Sequence, residues 1–101
     1  MSKQPFDGYS VLFLFNSRKH LEKLPRDIIA KIIKHIELLL KKQEVLDIKK
    51  LQNAHNCYRI RSGDYRIVYK PIAEKKTIYI VIIAHRNEVY KKLKAVSHFL
   101  A

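Results

Sequence analysis

The chain has 101 residues, 48% of them hydrophobic, which leaves room for one domain with a packed core and little else. Lys and Arg number 21 against 9 Asp and Glu, a formal net charge of +12, so the partners to expect are polyanions: nucleic acid, an anionic membrane surface or an acidic protein. No apolar run can span a bilayer, Met1 to Gly8 has neither a hydrophobic stretch nor a cleavage-site pattern, and the lone Cys57 can form no internal disulfide or half of a zinc site; a reducing cytoplasm is the expected compartment.

Residues 1–8 read as a loose leader and 9–101 as one domain. Tyr9 to Phe15 reads as a first strand, and Asn16 or Ser17 can cap a short helix that runs to Leu24. Pro25 suits the first position of a long helix, with Asp27 in its first turn. Ile28, Ile29, Ile32, Ile33, Ile36, Leu39 and Leu40 then make an amphipathic stripe, backed by Lys31, Lys34, Lys41 and Lys42. Residues 43–56, which include Lys49 and Lys50, read as a connection.

Three strands follow: Cys57 to Ser62, Tyr65 to Ile72 and Thr77 to Ala84. Gly63-Asp64 is a two-residue hairpin signal that sets Arg61 opposite Arg66, Ile60 opposite Ile67 and Tyr58 opposite Tyr69. The next turn, Ala73 to Lys76, would set Ile67 beside Ile82 and Tyr69 beside Ile80. Alternation then gives one buried face with Tyr58, Ile60, Tyr65, Ile67, Tyr69, Ile78, Ile80 and Ile82. The other face carries Arg59, Arg61, Arg66, Val68, Lys70, Tyr79, Val81, Ile83 and His85. Asn87 can cap a closing helix with Val89, Leu93, Val96 and Leu100 along one side. The fold class is α+β: a small antiparallel sheet, two N-terminal helices on one face and a C-terminal helix.

The arginine face is the unusual one. Opposed like charges destabilise a sheet by roughly 0.2–1 kcal/mol per pair, and neither hairpin strand contains an acidic residue to offset them. Arg59, Arg61 and Arg66 together make sense around an anion, because guanidinium groups hold phosphate bidentately. His85, a candidate general acid or base, and Arg86 and Tyr90 follow at the end of the last strand, where Arg66 should be near. His20, His35, His55 and His98 are scattered without ligand spacing. No metalloprotease, phosphate-loop or dinucleotide motif is present.

The strings LEKLPRDIIAKIIKHIELL, CYRIRSGDYRIVY and HRNEVY resemble the RelE/ParE toxin superfamily from about Tyr9 to Leu93. The tyrosine that closes the last string favours the RelE branch, whose members cut mRNA, over the ParE branch, whose members poison DNA gyrase. The resemblance implies a ribosome-dependent endoribonuclease that cleaves A-site mRNA by attack of a 2′-hydroxyl, without metal or small-molecule cofactor, and that is held by a cognate RelB-like antitoxin. It casts Arg59, Arg61, Arg66, Arg86 and Tyr90 as catalytic; Arg59 and Arg61 stand where the family prototype has lysines. An arginine stays protonated, so these two suit phosphate clamps rather than bases, and His85 is the first candidate for the base. Lys31, Lys34, Lys41, Lys42, Lys49 and Lys50 would then meet ribosomal RNA. The alternatives are a ParE-like gyrase inhibitor and an RNA-binding module without catalysis.

Overall fold

The computed structural model describes residues 6–52 and 54–100. A five-stranded sheet in the order β1-β5-β4-β3-β2 forms its centre. The strands are β1 (Ser10–Phe13), β2 (Asp47–Lys50), β3 (Tyr58–Ser62), β4 (Tyr65–Ile72) and β5 (Thr77–His85). Neighbouring strands are antiparallel except β1, which lies parallel to β5 along the sheet edge. Helices α1 (Ser17–Glu22) and α2 (Arg26–Lys41) cover one face; α3 (Val89–Ala95) and α4 (Ser97–Leu100) cover part of the other.

The first face is the larger core. Ile32, Ile36 and Leu39 of α2 and Leu21 of α1 pack on Ile60, Ile67, Tyr69, Ile78, Ile80 and Ile83. Each isoleucine taken fully out of water contributes about 1.5–3 kcal/mol, which makes α2 the main clamp on this face. Pro25 stands one position earlier than expected: it is the N-cap, with an extended ψ of 152°, and the helix begins at Arg26. Asn16 occupies the N-cap of α1 without a side-chain bond, while the buried Ser17 hydroxyl shares its proton between the carbonyls of Leu14 (2.8 Å) and Ile80 (2.9 Å). Of the expected leader, residues 1–5 lie outside the described residues, and Phe6 packs edge-on against Tyr69 and at a tilt against Tyr9.

The β3–β4 hairpin has the expected register throughout, from Tyr58 opposite Tyr69 to Ser62 opposite Tyr65. Gly63 alone in its turn has positive φ (60°), at the first of the two turn positions, as a type II′ hairpin turn requires. Two expectations about the sheet fail. The segment 43–56 is not merely a connection: Asp47–Lys50 form the edge strand β2 on β3. A four-residue strand with three charged side chains carries too little alternation to be read.

The second failure is the β4–β5 register. Tyr69 lies opposite Ile80 as expected, but Val68 lies opposite Ile82 and Ile67 opposite Ile83, so a bulge at Val81 inserts one extra residue into β5. A one-residue insertion exchanges the faces of everything beyond it. Ile82 therefore joins Cys57, Val68, Val81, Ala84 and Val89 in the second core, Ile83 joins the first, and His85 pairs with Tyr65 on the α1–α2 side.

The closing helix is also divided. Glu88, not Asn87, is the N-cap of α3, and the helix breaks at Val96 before α4. Val89, Leu93, Val96 and Leu100 still face the second core together, and the N–H of His55 donates to the Leu100 carbonyl at 2.8 Å. Among the described residues no helix is long and apolar enough to cross a membrane.

His35 on α2 ties the helix to the hairpin, its Nδ1 lying 2.7 Å from the buried Ser62 Oγ. Burial first, then Lys31 and Lys34, hold its pKa below the ordinary 6.5. As pH falls below about 6.5, the unfolded chain takes up this proton before the folded one does. Stability is therefore full above that value and falls progressively on acidification; His20, depressed as well, adds in the same direction. His35→Gln should flatten the decline of Tm between neutral and mildly acidic pH. An unchanged slope in thermal unfolding would contradict this assignment.

Candidate functional site

The hairpin register dictates where the guanidinium groups stand. Arg61 and Arg66 are direct cross-strand partners, and Arg59, two residues along β3, shares their face. Arg66 is itself opposite Ala84 of β5. This is a consequence of the bulge: without it Ile83 would occupy that place. The Ala84 methyl crowds the Arg66 side chain less than an isoleucine there would.

Arg86 joins the group through the backbone. Its N–H donates to the Asp64 carbonyl at 2.8 Å, which fastens the end of β5 to the hairpin turn. Tyr90 is set by its neighbour: Val89 is buried against the second core, so the next side chain projects outward, 67% exposed. Arg66 is held in place by two hydrogen bonds at 2.9 Å from its Nη1 to the carbonyls of Gly63 and Tyr65. A guanidinium has five N–H donors, so several remain for a ligand.

Partial burial lowers the Arg66 pKa, and Arg61, Arg59 and Arg86 lower it further, in that order. One carboxylate offsets the cluster: Asp47 of β2 lies 3.5 Å from Arg59 Nη1. Among the described residues Arg61, Arg66 and Arg86 have no ion-pair partner. A cluster of this kind has the chemistry to hold an anion, because a bound phosphate would replace repulsion by charge-assisted hydrogen bonds.

Beside it lies a cleft of about 470 Å³ between β2 and the C-terminal helices. Arg59 and Tyr90 line it together with Lys49, Lys50 and Lys94, while Leu93 and Leu100 give it an apolar floor. Asp47 and Lys94 are site residues that the sequence reading missed; Asp47 lies on the unrecognised strand, and Lys94 is one lysine among many on α3.

His85 is not part of this site. The bulge places its ring on the opposite face, edge-on to Tyr65 with centroids 5.5 Å apart. Its Nδ1 accepts the Asn87 N–H at 3.1 Å, so the neutral ring carries its proton on Nε2. A general-base role at the arginine cluster does not fit this placement.

The six lysines divide. Lys49 and Lys50 flank the cleft. Lys34 and Lys41 are exposed on α2 and Lys42 just past its end, across the sheet from the arginines. Lys31, also on α2, reaches the hairpin turn, where its Nζ lies 3.3 Å from the place of a Cβ on Gly63. Among the described residues no group of three or more His, Cys, Asp or Glu is placed to hold a metal ion.

The chain has clear relatives in sequence and in fold. Residues 12–90 match the family described as ParE toxin of type II toxin-antitoxin system, parDE, and the chain belongs to that RelE/ParE superfamily. Toxin RelE3 of Methanocaldococcus jannaschii is 36% identical over 79% of this chain and 93% of its own length. Toxin RelG of Mycobacterium tuberculosis is 28% identical over 83% of this chain and 98% of its own. The archaeal RelE of the RelE–RelB complex from Pyrococcus horikoshii superposes with a TM-score of 0.66 at 28% identity, covering 77% of this chain and 94% of that one. The protein is thus a RelE-like toxin of a type II toxin–antitoxin system.

Substituting Arg61 should separate stability from anion binding. Arg61→Thr removes one of two directly opposed charges and should raise stability by roughly 0.2–1 kcal/mol, while the rise in Tm on adding inorganic phosphate should shrink. Thermal unfolding with and without phosphate measures both. A destabilised variant, or one with an undiminished phosphate effect, would refute the shared anion site.

Proposed function

We propose that the chain is a ribosome-dependent endoribonuclease that cuts mRNA in the A site, and that a cognate RelB-like antitoxin restrains it. The observation that carries this reading is the convergence of Arg59, Arg61, Arg66 and Arg86, with Tyr90 at the margin, on one open sheet face. The relation to RelE toxins, one of them solved in complex with RelB, supports the class of target and of partner.

In this mechanism the 2′-oxygen of one nucleotide attacks the adjacent phosphorus and the P–O5′ bond breaks. The products are a 2′,3′-cyclic phosphate and a 5′-hydroxyl. Arg61 and Arg66 grip the non-bridging oxygens and stabilise the dianionic pentacoordinate phosphorane as its charge develops. Arg86 stabilises the departing 5′-oxygen. Tyr90, exposed beside the basic cleft, stacks on a splayed base.

Permanently protonated guanidinium groups accept no proton, and His85 is on the other face. The 2′-hydroxyl proton therefore passes to solvent, and the 5′-oxygen takes its proton from solvent. Such an enzyme gains its rate from positioning and charge rather than from acid–base groups, which suits a catalyst whose substrate is aligned by the ribosome. Lys31, Lys34, Lys41 and Lys42 meet ribosomal RNA phosphates in a salt-sensitive contact, and Lys49 and Lys50 guide the message into the cleft.

Primer-extension mapping of cut sites in a translation extract tests the proposal. Wild type should yield breaks within A-site codons. Arg66→Ala should lower the cleavage rate on the order of 10²–10³-fold, the usual cost of removing one transition-state donor, with ribosome binding retained. The ParE description of the matching family keeps a gyrase poison as the second reading. Intact mRNA with gyrase-linked DNA breaks would establish that reading and overturn the first.

A further inference from the structure

On the far side of the β5 terminus from the arginines lies a second basic recess, of about 350 Å³. His20 and Lys23 line it from α1 and its C-terminal end, Lys92 from α3, and His85 and Tyr65 from the sheet. Glu88 is its one acidic lining residue, and among the described residues no ion pair joins Glu88 to either lysine. The two lysines are close enough to His20 that, after burial, they are what keeps its pKa below the ordinary range, Lys92 more than Lys23. His85 presents a defined donor: with Nδ1 accepting from the Asn87 N–H, the Nε2–H is the group left for a ligand.

We propose that His20, Lys23, His85 and Lys92 form a second phosphate site, which holds a backbone phosphate of the same RNA strand whose scissile phosphate lies among the arginines. The chemistry is that of a phosphate monoanion or dianion. Two ammonium groups supply permanent charge against a single carboxylate, and the His85 Nε2–H supplies a directed hydrogen bond. The second imidazole takes up a proton when the anion arrives.

Connectivity links the two sites. His85 and Arg86 are consecutive, with Cα atoms about 3.8 Å apart, and they serve opposite faces because the Val81 bulge turned His85 away from the arginine side. A strand that crosses the β5 terminus thus meets Arg86 on one side and His85 on the other. Only the source of the phosphate rests on the nuclease reading; the phosphate site itself stands on the recess.

NMR titration of the His20 ring protons tests this without reference to cleavage. Inorganic phosphate should shift the His20 resonances and raise its midpoint toward or above the ordinary 6.5, whereas chloride at equal ionic strength should not. Lys23→Ala/Lys92→Ala should abolish the shift. A short 2′-O-methyl RNA, which cannot be cut, should produce the same displacement. Its affinity in the double variant should lose about 0.7 of the slope of log K against log salt, the value for one single-strand phosphate. Arg66→Ala should leave the His20 response to inorganic phosphate intact, which separates failure of this site from failure of the nuclease reading. No response to phosphate, or the same response in the double variant, would overturn the site. A response to phosphate but none to the RNA would overturn its assignment to the strand.

Discussion

Arg61 and Arg66 stand opposite each other only because the residues next to them leave no choice. Ile60 and Ile67 form the adjacent cross-strand pair, both fully buried under α2. Two such side chains removed from water contribute about 1.5–3 kcal/mol each, against a repulsion of roughly 0.2–1 kcal/mol between the opposed arginines. The hairpin register is thus fixed from the core side, and the charge cluster is carried along with it. Slipping by one residue to separate the arginines would expose the isoleucines, which costs more than the repulsion saved.

The second constraint is the bulge at Val81. It lets β5 remain apolar on both faces while changing what each face receives beyond it. Ala84 comes to lie beside Arg66, Ile83 goes to the α2 core, and His85 is carried to the side of Tyr65. The end of β5 becomes the point at which two basic surfaces meet, the arginine face and the recess beneath α1. The backbone bond from Arg86 to Asp64 then fixes this terminus to the hairpin turn, so one short stretch of main chain sets the position of both surfaces.

The distribution of charge follows from the same layering. The first face is sealed by α1 and α2, whose outward side is free to carry Lys34, Lys41 and Lys42. The second face is sealed only in part, by two short helices that cover Val68, Val81, Ile82 and Ala84 and leave the arginine end open. Near that open end Asp47 pairs with Arg59 and stands across the β2–β3 ladder from Arg61. The guanidinium groups repel one another there, and a bound anion would relieve that repulsion. A protein meant only to be stable would place threonine or glutamate there.

Much of this was legible in the sequence, where local chemistry suffices. The Gly63-Asp64 turn fixed the hairpin and with it the opposed arginines. The isoleucine stripe fixed α2, and the strings from Cys57 to Tyr69 and from His85 to Tyr90 carried the resemblance to the RelE/ParE superfamily. Tertiary structure decided the rest. A strand that is apolar at every position from Ile78 to Ala84 has no alternation for an inserted residue to disturb, so the bulge left no mark, and the face of His85 could not be foreseen. The edge strand β2 was hidden because its charged side chains face solvent and it exists only through hydrogen bonds to β3. Periodicity records which side of an element is buried; it is silent where both sides are buried or nearly both are exposed, and there the packing of the whole chain sets the outcome.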